Sequence, residues 1–293
     1  MFKTEGSPKA PFFLKKNLKL MKIAIQGIEG CFHQIAANKF FNREVEVLCC
    51  VNFHELVNKV TNQQECDLGI MAIENSIAGS ILQNYRLLQQ SDLKIIGEVY
   101  LPIVQNLIVM PGTKIEDIEE IHSHPMAIYQ CSEFLSKLKN VKVIETDDTA
   151  ASVKRIKENN WGKKAAISSE LSASIYGMEI LTSSIETNKA NYTRFLILSK
   201  NEIEKMKGTN KASLYFSVEN TKGSLAKVLE LITKNDINPT KLQSFPIVGS
   251  SWQYYFHSDL EYSAYSNFNN LILQLNNHTT KVKILGNYKK GIK

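Results

Sequence analysis

Short apolar runs alternate with amphipathic segments through the first 200 residues of the chain. The runs at residues 22–26, 45–50 and 68–73 have the length of buried strands. Between them, residues 32–40 and 53–61 carry apolar side chains every three or four positions, the spacing of a helix that packs on one face. Strands that alternate with helices in this way predict an α/β fold with mainly parallel, doubly wound sheets.

A second set of strands and helices follows, and the chain crosses to it once and returns once. The crossing is predicted near residues 98–104 and the return near residues 192–198. Two α/β lobes joined in this way enclose a cleft, as in periplasmic binding proteins, and such a cleft suits a small anionic ligand. The lobes are predicted at residues 21–98 together with 190–200, and at residues 99–189.

The pattern changes again towards the end of the chain. Residues 201–212 are polar and are predicted to form a linker. In residues 213–293, the order of apolar patterns predicts the βαββαβ arrangement of a ferredoxin-like sandwich. At the other end, residues 1–20 are rich in lysine and have no amphipathic period, so they are predicted to form a flexible basic prefix.

Charge and cysteine content argue against several classes of protein. The net charge is +6, but residues 1–22 alone hold six lysines against Glu5, so most of the excess lies in a tail and no basic groove for nucleic acid is indicated. No apolar run approaches the roughly 18 residues that span a membrane. The five cysteines lack the spacing of a disulfide framework or a zinc site, which favours free thiols in a reducing cytoplasm.

Polar residues cluster where predicted strands end, and α/β folds place their sites at such ends. Residues 191–194 (NYTR) lead into the apolar run 195–198, and residues 74–76 (ENS) follow the strand 68–73. Residues 27–30 (GIEG) form a glycine turn before a helix, an arrangement that aims backbone N–H groups at an anion. Each segment taken alone could equally be a packing turn or a loop before a core strand.

Five motifs in this order resemble those of the prephenate dehydratases that carry a C-terminal ACT regulatory domain. The resemblance spans about residues 22–290. The motifs are residues 27–33 (GIEGCFH), 72–80 (AIENSIAGS), 123–131 (SHPMAIYQC), 148–150 (DTA) and 191–195 (NYTRF). This chain departs from the family pattern at Ile28, Cys31, His33, Gln105 and Asp148.

The resemblance implies the conversion of prephenate to phenylpyruvate, carbon dioxide and water, without a metal ion or an organic cofactor. It assigns to Thr193 the role of proton donor to the leaving hydroxyl group. The roles of Glu74 and Cys31 stay open. Glu74 is a structural carboxylate or a base, and the thiol of Cys31 lies at a helix start, where its pKa can fall, although a hydrogen-bonding role is favoured. The residues implied at the substrate are Asn75, Ser76, Ser123, Gln130, Thr149, Arg194, Phe195, Gly30 and Cys31.

The same resemblance implies regulation by phenylalanine through the C-terminal domain. Residues 243–246 (QSFP) replace a family segment that carries a glutamate and an arginine, so we expect weaker or altered phenylalanine inhibition. A homodimer or homotetramer is expected, in which these domains pair. The residues implied at the allosteric site are Gly223, Ser224, Leu225, Gln243 and Ser244.

Two alternatives to a prephenate dehydratase are kept. An arogenate dehydratase would act on the substrate that carries an amino acid side chain in place of the keto acid, and the sequence does not separate the two. A non-catalytic small-molecule binding or sensor protein would use the same cleft, although the intact residues 193–195 argue against it. Residues 1–20 are too few for a helical mutase domain, so no mutase activity is expected.

Overall fold

The structure, a computed structural model, describes residues 22–62, 65–201 and 208–292. The predicted prefix and half of the predicted linker lie outside these residues. Up to residue 201 the elements are β1 (Lys22–Gln26), α1 (Phe32–Phe41), β2 (Glu46–Cys50), α2 (Phe53–Asn62), β3 (Leu68–Asn75), β4 (Gly79–Ser80), α3 (Leu82–Gln90), β5 (Lys94–Pro102), β6 (Asn106–Val109), a 3-10 turn (Ile115–Asp117), β7 (Glu120–Ser123), α4 (Pro125–Gln130), α5 (Ser132–Leu135), β8 (Lys142–Glu145), α6 (Thr149–Glu158), β9 (Lys164–Ser168), α7 (Glu170–Tyr176), β10 (Glu179–Thr182) and β11 (Tyr192–Ser199). The C-terminal domain, residues 208–292, contains β12 (Lys211–Ser217), α8 (Ser224–Lys234), β13 (Ile237–Pro246), β14 (Tyr254–Tyr262), α9 (Tyr265–Leu275) and β15 (Lys281–Tyr288). Among the described helices, none combines the length and the apolar composition needed to cross a bilayer.

The first sheet has the strand order β2-β1-β3-β11-β5, and the short β4 pairs with β3. Strand β1 runs parallel to β2 and β3, whereas β11 returns from the second lobe and runs antiparallel to β3 and β5. The sheet is therefore mixed, and the prediction of mainly parallel sheets is wrong here. Strand β3 is apolar along most of its length because both of its faces are covered: Ile70 lies in one hydrophobic cluster and Met71 in another.

The second sheet forms the other lobe, with the strand order β10-β6-β9-β7-β8. Strand β7 is parallel to β8 and β9, and β6 is antiparallel to β9 and β10. The chain crosses between the lobes after Pro102, where β5 ends, and before Asn106, where β6 begins. The predicted two-lobed α/β architecture is confirmed, with the first lobe's sheet extending beyond residue 98.

The C-terminal domain is a four-stranded antiparallel sheet with the order β13-β14-β12-β15. Helices α8 and α9 cover one face, where Val228 and Leu271 pack against Leu214 of the central strand. This is the βαββαβ sandwich expected from the sequence, so the ferredoxin-like architecture is confirmed.

The other face of the C-terminal sheet packs directly on the first lobe. Leu196 and Leu198 of β11 share one hydrophobic cluster with Tyr215, Tyr255 and Leu285 of the C-terminal domain. The backbones come so close that a Cβ placed on Gly286 would lie 2.0 Å from the carbonyl oxygen of Ile95. The first sheet therefore has one face towards the C-terminal domain and the other towards helix α1 and the second lobe.

Replacing Gly286 with alanine is expected to loosen this contact. The added methyl group must displace the backbone of β5, and overpacking of this kind costs about 1–3 kcal/mol. We expect Gly286→Ala to lower the melting temperature in calorimetry. Gly162→Ala is the matched control, because the space around Gly162 is open and its backbone needs no left-handed conformation. Equal melting temperatures for the two variants would contradict the close contact.

Candidate active site

The ends of β3 and β11 bring Asn75 and Thr193 together. The two residues are directly paired across the antiparallel strands, and the side-chain Nδ2 of Asn75 donates a hydrogen bond of 3.0 Å to Thr193 Oγ1. Both side chains are largely buried, with Thr193 8% exposed. Because Thr193 Oγ1 accepts this bond, its own hydrogen points elsewhere, and within the described part of the chain no protein group accepts it.

A β-bulge in β3 sets this pairing. The register places Arg194 opposite Glu74 but Phe195 opposite Ala72, so Ile73 is the extra residue. Without it, strict alternation would put Asn75 on the face of Ile73, which lies in the cluster shared with the C-terminal domain. The bulge therefore turns Asn75 to the face that carries Thr193, as bulges beside active sites commonly do.

The side chain of Asn75 is held in one orientation by its neighbours. Its Oδ1 accepts hydrogen bonds of 2.9 Å from the backbone N–H groups of Ile77 and Ala78. Its Nδ2 donates to Asn191 Oδ1 at 2.7 Å as well as to Thr193. Asn191 is fully buried, and its own Nδ2 has no hydrogen-bond partner among the described residues. A buried amide left unpaired beside Thr193 is a donor available to a ligand.

Asn191 was not among the site residues predicted from the sequence. Its position within residues 191–195 was the available signal, because it begins the motif that also contains Thr193. The pairing of strand ends adds what the motif alone does not show: Asn75, Asn191 and Thr193 form one hydrogen-bonded cluster.

Ser76 binds the backbone at the start of β11. Its Oγ donates to the carbonyl of Ala190 at 3.1 Å and accepts from the N–H of Tyr192 at 2.9 Å. These two bonds fix the segment that leads to Thr193. The predicted role of Ser76 at the substrate stays a prediction, and the structure gives it this supporting contact.

Phe195 lies on the same strand face as Thr193, below it in the core. It is 1% exposed and meets the ring of His33 edge-on at a centroid distance of 5.1 Å. His33 Nε2 accepts from the N–H of Ala72, and burial lowers the pKa of His33 to about 3, so the ring is neutral. Phe195 therefore supports the site from beneath, in contrast to the direct substrate contact expected from the sequence.

Arg194 points away from Thr193, as alternation along a strand requires. Its guanidinium is 5% exposed and donates to Glu98 Oε2 at 2.7 Å, to the hydroxyl of Tyr288 at 3.1 Å and to Asp259. Asp259 and Tyr288 belong to the C-terminal domain. The expectation that Arg194 binds the substrate is therefore wrong for this structure, because its donors are engaged on the opposite face of the sheet.

Glu74 also lies on that opposite face. Its Oε1 pairs with Lys241 Nζ of the C-terminal domain at 2.5 Å. Of the two roles left open by the sequence, this contact favours a structural carboxylate over a base.

The glycine turn of the first lobe rests on helix α7 of the second. Gly30 has φ +89°, and a Cβ there would lie 2.7 Å from Ser172 Cα. Ser169 Oγ donates to the Gly30 carbonyl at 2.5 Å, and Tyr176 donates to the Glu29 carbonyl at 2.9 Å. The Gly30 N–H donates to Gln34 Oε1, so it is not available to an anion in this structure.

Cys31 is a buried thiol next to this turn. Its Sγ lies 3.5 Å from the carbonyl oxygen of Gln26. Burial raises the pKa of Cys31 to about 12, so the lowered pKa considered at this helix start does not occur. A neutral thiol that donates a hydrogen bond agrees with the favoured interpretation of Cys31 as a non-nucleophilic group.

In the second lobe, Ser123 and Gln130 are both buried and hydrogen-bonded within the protein. Ser123 Oγ donates to the Ile167 carbonyl at 2.7 Å, and Gln130 Oε1 accepts from Gln105 Nε2 at 3.3 Å. Gln105 Oε1 is buried without a partner among the described residues, and the N–H of Gln105 donates to Glu186. Ser123 is thus tied to a core strand, whereas the Gln105–Gln130 pair keeps an acceptor for a ligand.

Asp148 and Thr149 face the glycine turn from the second lobe. Asp148 caps helix α6 through a bond from the Ala151 N–H to its Oδ1, and Thr149 is the first residue of that helix. The other oxygen of Asp148 would lie 2.9 Å from a Cβ on Gly27. Burial raises the pKa of Asp148. A shared hydrophobic cluster that contains Cys31, Ala150 and Phe195 joins the two lobes at this point.

The structure thus brings Asn75, Thr193, Gly30, Cys31 and Thr149 to the region between the lobes, and it turns Arg194 away from it. Within residues 22–62, 65–201 and 208–292, no group of three or more His, Cys, Asp and Glu side chains could hold a metal ion.

Comparison with known proteins identifies the family. A family model described as prephenate dehydratase matches residues 23–203. The bifunctional chorismate mutase/prephenate dehydratase of Enterobacter agglomerans is 32% identical, covering 94% of this chain and 73% of that protein. The chloroplastic arogenate dehydratase/prephenate dehydratase 2 of Arabidopsis thaliana is 35% identical, covering 92% and 72%.

Solved structures give the same fold along nearly the whole chain. The prephenate dehydratase of Arthrobacter aurescens in complex with L-Phe has a TM-score of 0.82 and 25% identity, covering 92% of this chain and 90% of that chain. A structure described as GqqA, a novel type of quorum quenching acylase, has a TM-score of 0.84 and 28% identity, covering 92% and 98%. The family model spans more than half of the chain, and relatives above 30% identity extend along it, so this chain belongs to the prephenate dehydratase family.

Proposed function

We propose that this chain is a carbon–oxygen lyase that converts prephenate to phenylpyruvate, carbon dioxide and water in aromatic amino acid biosynthesis. The observation that carries the proposal is the hydrogen bond from Asn75 Nδ2 to Thr193 Oγ1. It leaves the Thr193 O–H directed away from the protein's own acceptors, as a donor to a leaving group must be.

The reaction breaks two bonds between the ring and its substituents, and the ring becomes aromatic. The electrons of the C–CO₂⁻ bond enter the ring, and the C–OH bond breaks as the oxygen leaves with its electron pair. Thr193 supplies a hydrogen bond and then the proton that turns the departing hydroxide into water, and solvent returns a proton to Thr193 Oγ1 before the next turnover. The Asn75 N–H stabilises the negative charge that develops on Thr193 Oγ1 as the proton moves.

Other groups near Thr193 are suited to the two carboxylates of the substrate. The unpaired Nδ2 of Asn191 offers a buried donor, and Thr149, at the start of helix α6, offers a hydroxyl. Closure of the cleft excludes water, which favours loss of CO₂ from a desolvated carboxylate.

The assay that tests this function incubates the purified chain with prephenate and follows phenylpyruvate by its absorbance. Arogenate is tested in parallel, because a relative in Arabidopsis thaliana is named for both activities. The ratio of the two kcat/KM values decides between prephenate and arogenate dehydratase. Calorimetric binding of prephenate without any product would favour the non-catalytic binding protein, and the absence of product from both prephenate and arogenate would reject both dehydratases.

We further propose that the C-terminal domain, predicted at residues 213–293, is an ACT regulatory domain that binds phenylalanine in a homodimer or homotetramer. The related Arthrobacter aurescens structure was solved with L-Phe. Here helix α8 begins after Gly223, whose φ is +90° and which has no neighbour within 4 Å of a Cβ position. The N–H groups at this helix start carry no side-chain cap, so they remain suited to a carboxylate.

Phenylalanine binding is expected to be measurable but weak. Gln243 lies on β13 and its amide donates to the Ser244 carbonyl, so a neutral group stands where charge assistance for an ammonium is expected in the family. Calorimetric titration should give a larger Kd for the wild type than for Gln243→Glu, and a further loss for Gln243→Ala. Tyrosine and tryptophan serve as competitors, and absence of binding by all three amino acids would reject the proposal.

A further inference from the structure

The two strands that carry Asn75 and Thr193 carry a second matched pair on their other face. Arg194 is paired with Glu74 in the antiparallel register, one step from the pair formed by Thr193 and Asn75. Side chains that are directly opposite share a face, so Asn75 and Thr193 lie on one face and Glu74 and Arg194 on the other. Both members of the second pair bind the C-terminal domain.

Arg194 is bound by a buried carboxylate from the C-terminal domain. Asp259 on β14 is 1% exposed, accepts from Arg194, and also accepts from Ser213 Oγ at 2.5 Å. Burial alone would raise the pKa of Asp259, but the charge of Arg194 and the nearby His257 hold it well below its usual value. Asp259 is therefore charged, and its geometry is set by the C-terminal sheet.

Other groups of the C-terminal domain join the same cluster. Glu98 of β5, which accepts from Arg194, also pairs with Lys211 Nζ at 3.0 Å and accepts from the Gly291 N–H at 3.0 Å. Arg194 is paired with Glu98 and Asp259, and Lys211 is paired with Glu98 and with Glu261 at 3.7 Å, so each buried charge has an opposite charge beside it.

Glu74 is bound separately, on the neighbouring strand. Lys241 Nζ of β13 lies 2.5 Å from Glu74 Oε1 and 2.7 Å from Ser80 Oγ, so it joins β3 to β4. This contact is partly exposed, since the side chain of Lys241 is 17% exposed. Lys241 therefore binds β3 and Asp259 binds β11, so a different residue of the C-terminal domain holds each of the two strands that form the site.

From this arrangement we infer that Asp259 and Lys241 are positioning residues for the proposed dehydratase reaction, acting through Arg194 and Glu74 on Thr193 and Asn75. The inference rests on the proposed function for its kinetic consequences. A displacement of about 1 Å in a catalytic group can cost roughly 10²-fold in rate. Because charge pairs from the C-terminal domain hold β3 and β11, that domain sets the position of Thr193.

The test uses variants that differ in the risk of unfolding. Lys241→Met keeps the length of a partly exposed side chain and removes its charge, and Asp259→Asn keeps the shape of the buried group. Lys241→Arg should keep the ion pair with Glu74. The matched control is Lys234→Met, which removes a lysine from the pair with Glu230 on the exposed face of helix α8.

We expect kcat to fall about 10-fold for Lys241→Met and about 10²-fold for Asp259→Asn, with smaller changes in KM. Lys241→Arg and Lys234→Met should keep the wild-type kcat. Glu74→Gln combined with Lys241→Met should be no slower than Lys241→Met alone, because residues that act through one contact are not additive. A wild-type kcat for both Lys241→Met and folded Asp259→Asn, with only the melting temperature changed, would overturn the inference.

A second measurement separates this inference from the proposed function. Hydrogen exchange read by mass spectrometry should show faster exchange in peptides from β3 and β11 of Lys241→Met than of Lys234→Met. Unchanged exchange in those peptides would overturn the inference even if the wild type converts prephenate. If the wild type makes no phenylpyruvate but exchange rises as expected, the proposed function fails and the coupling between the domains stands.

Discussion

Thr193→Val lowers kcat for prephenate by roughly 10²–10⁴, with a much smaller change in KM, if the hydroxyl acts on the leaving group. Valine has nearly the shape of threonine, so it fits the same largely buried position. It removes the O–H donor and also the acceptor of the Asn75 bond. Steady-state kinetics, with prephenate binding measured by calorimetry, separates this loss from a loss of affinity.

Thr193→Ser is the matched control, because it keeps the hydroxyl and loses only a methyl group. We expect its kcat to stay within about 10-fold of the wild type. A Thr193→Val enzyme with wild-type kcat would contradict the role of the hydroxyl. A Thr193→Ser enzyme as slow as Thr193→Val would show that the methyl group, through packing, matters more than the O–H.

The pairing of Asn75 with Thr193 illustrates what could be predicted from the sequence. Two polar segments each adjoin an apolar run, so both were expected at strand ends near a cleft. Their direct contact also depends on the bulge at Ile73 and on the insertion of β11 between β3 and β5. Neither feature leaves a periodic signal in the sequence. The return strand, for example, has the same apolar pattern whether it runs parallel or antiparallel to its neighbours.

The direction of Arg194 could not be predicted for a related reason. Alternation along β11 predicts that Arg194 and Thr193 lie on opposite faces of the sheet, but it does not predict which face borders the cleft. That depends on where the C-terminal domain docks, and Asp259 lies 65 residues away along the chain. The motif thus contains one residue for the proposed chemistry and one for contact between domains, whereas the family resemblance places both at the substrate.

Buried hydroxyl and thiol groups are a second case in which the sequence does not specify the contact. Ser123 and Cys31 are types that often contact ligands, and both were placed at the substrate by resemblance. In the structure each one has a backbone carbonyl as its partner. Whether a short polar side chain satisfies the backbone or a ligand depends on the packing around it, which a motif does not specify.

Gly30→Ala is expected to lower kcat/KM by about 10²-fold or more by holding the lobes apart. Gly30 has φ +89°, and the new Cβ would lie 2.7 Å from Ser172 Cα, against an ordinary contact of about 4 Å. Ser172 Cα is a backbone atom and the new Cβ is attached directly to the backbone of the glycine turn, so relief requires that turn to move by roughly 1 Å from helix α7, enough to disturb a cleft assembled from both lobes. The same movement weakens the bond from Ser169 to the Gly30 carbonyl.

Gly112→Ala controls for backbone strain in this experiment. Gly112 has φ +82°, close to that of Gly30, but no atom lies within 4 Å of its Cβ position. Both variants therefore carry the cost of a left-handed alanine, about 1–2 kcal/mol, and only Gly30→Ala carries the clash between lobes. Steady-state kinetics should show a slower Gly30→Ala enzyme and a Gly112→Ala enzyme with wild-type kcat/KM. If both keep wild-type kcat/KM, contact between the glycine turn and α7 is not needed for catalysis.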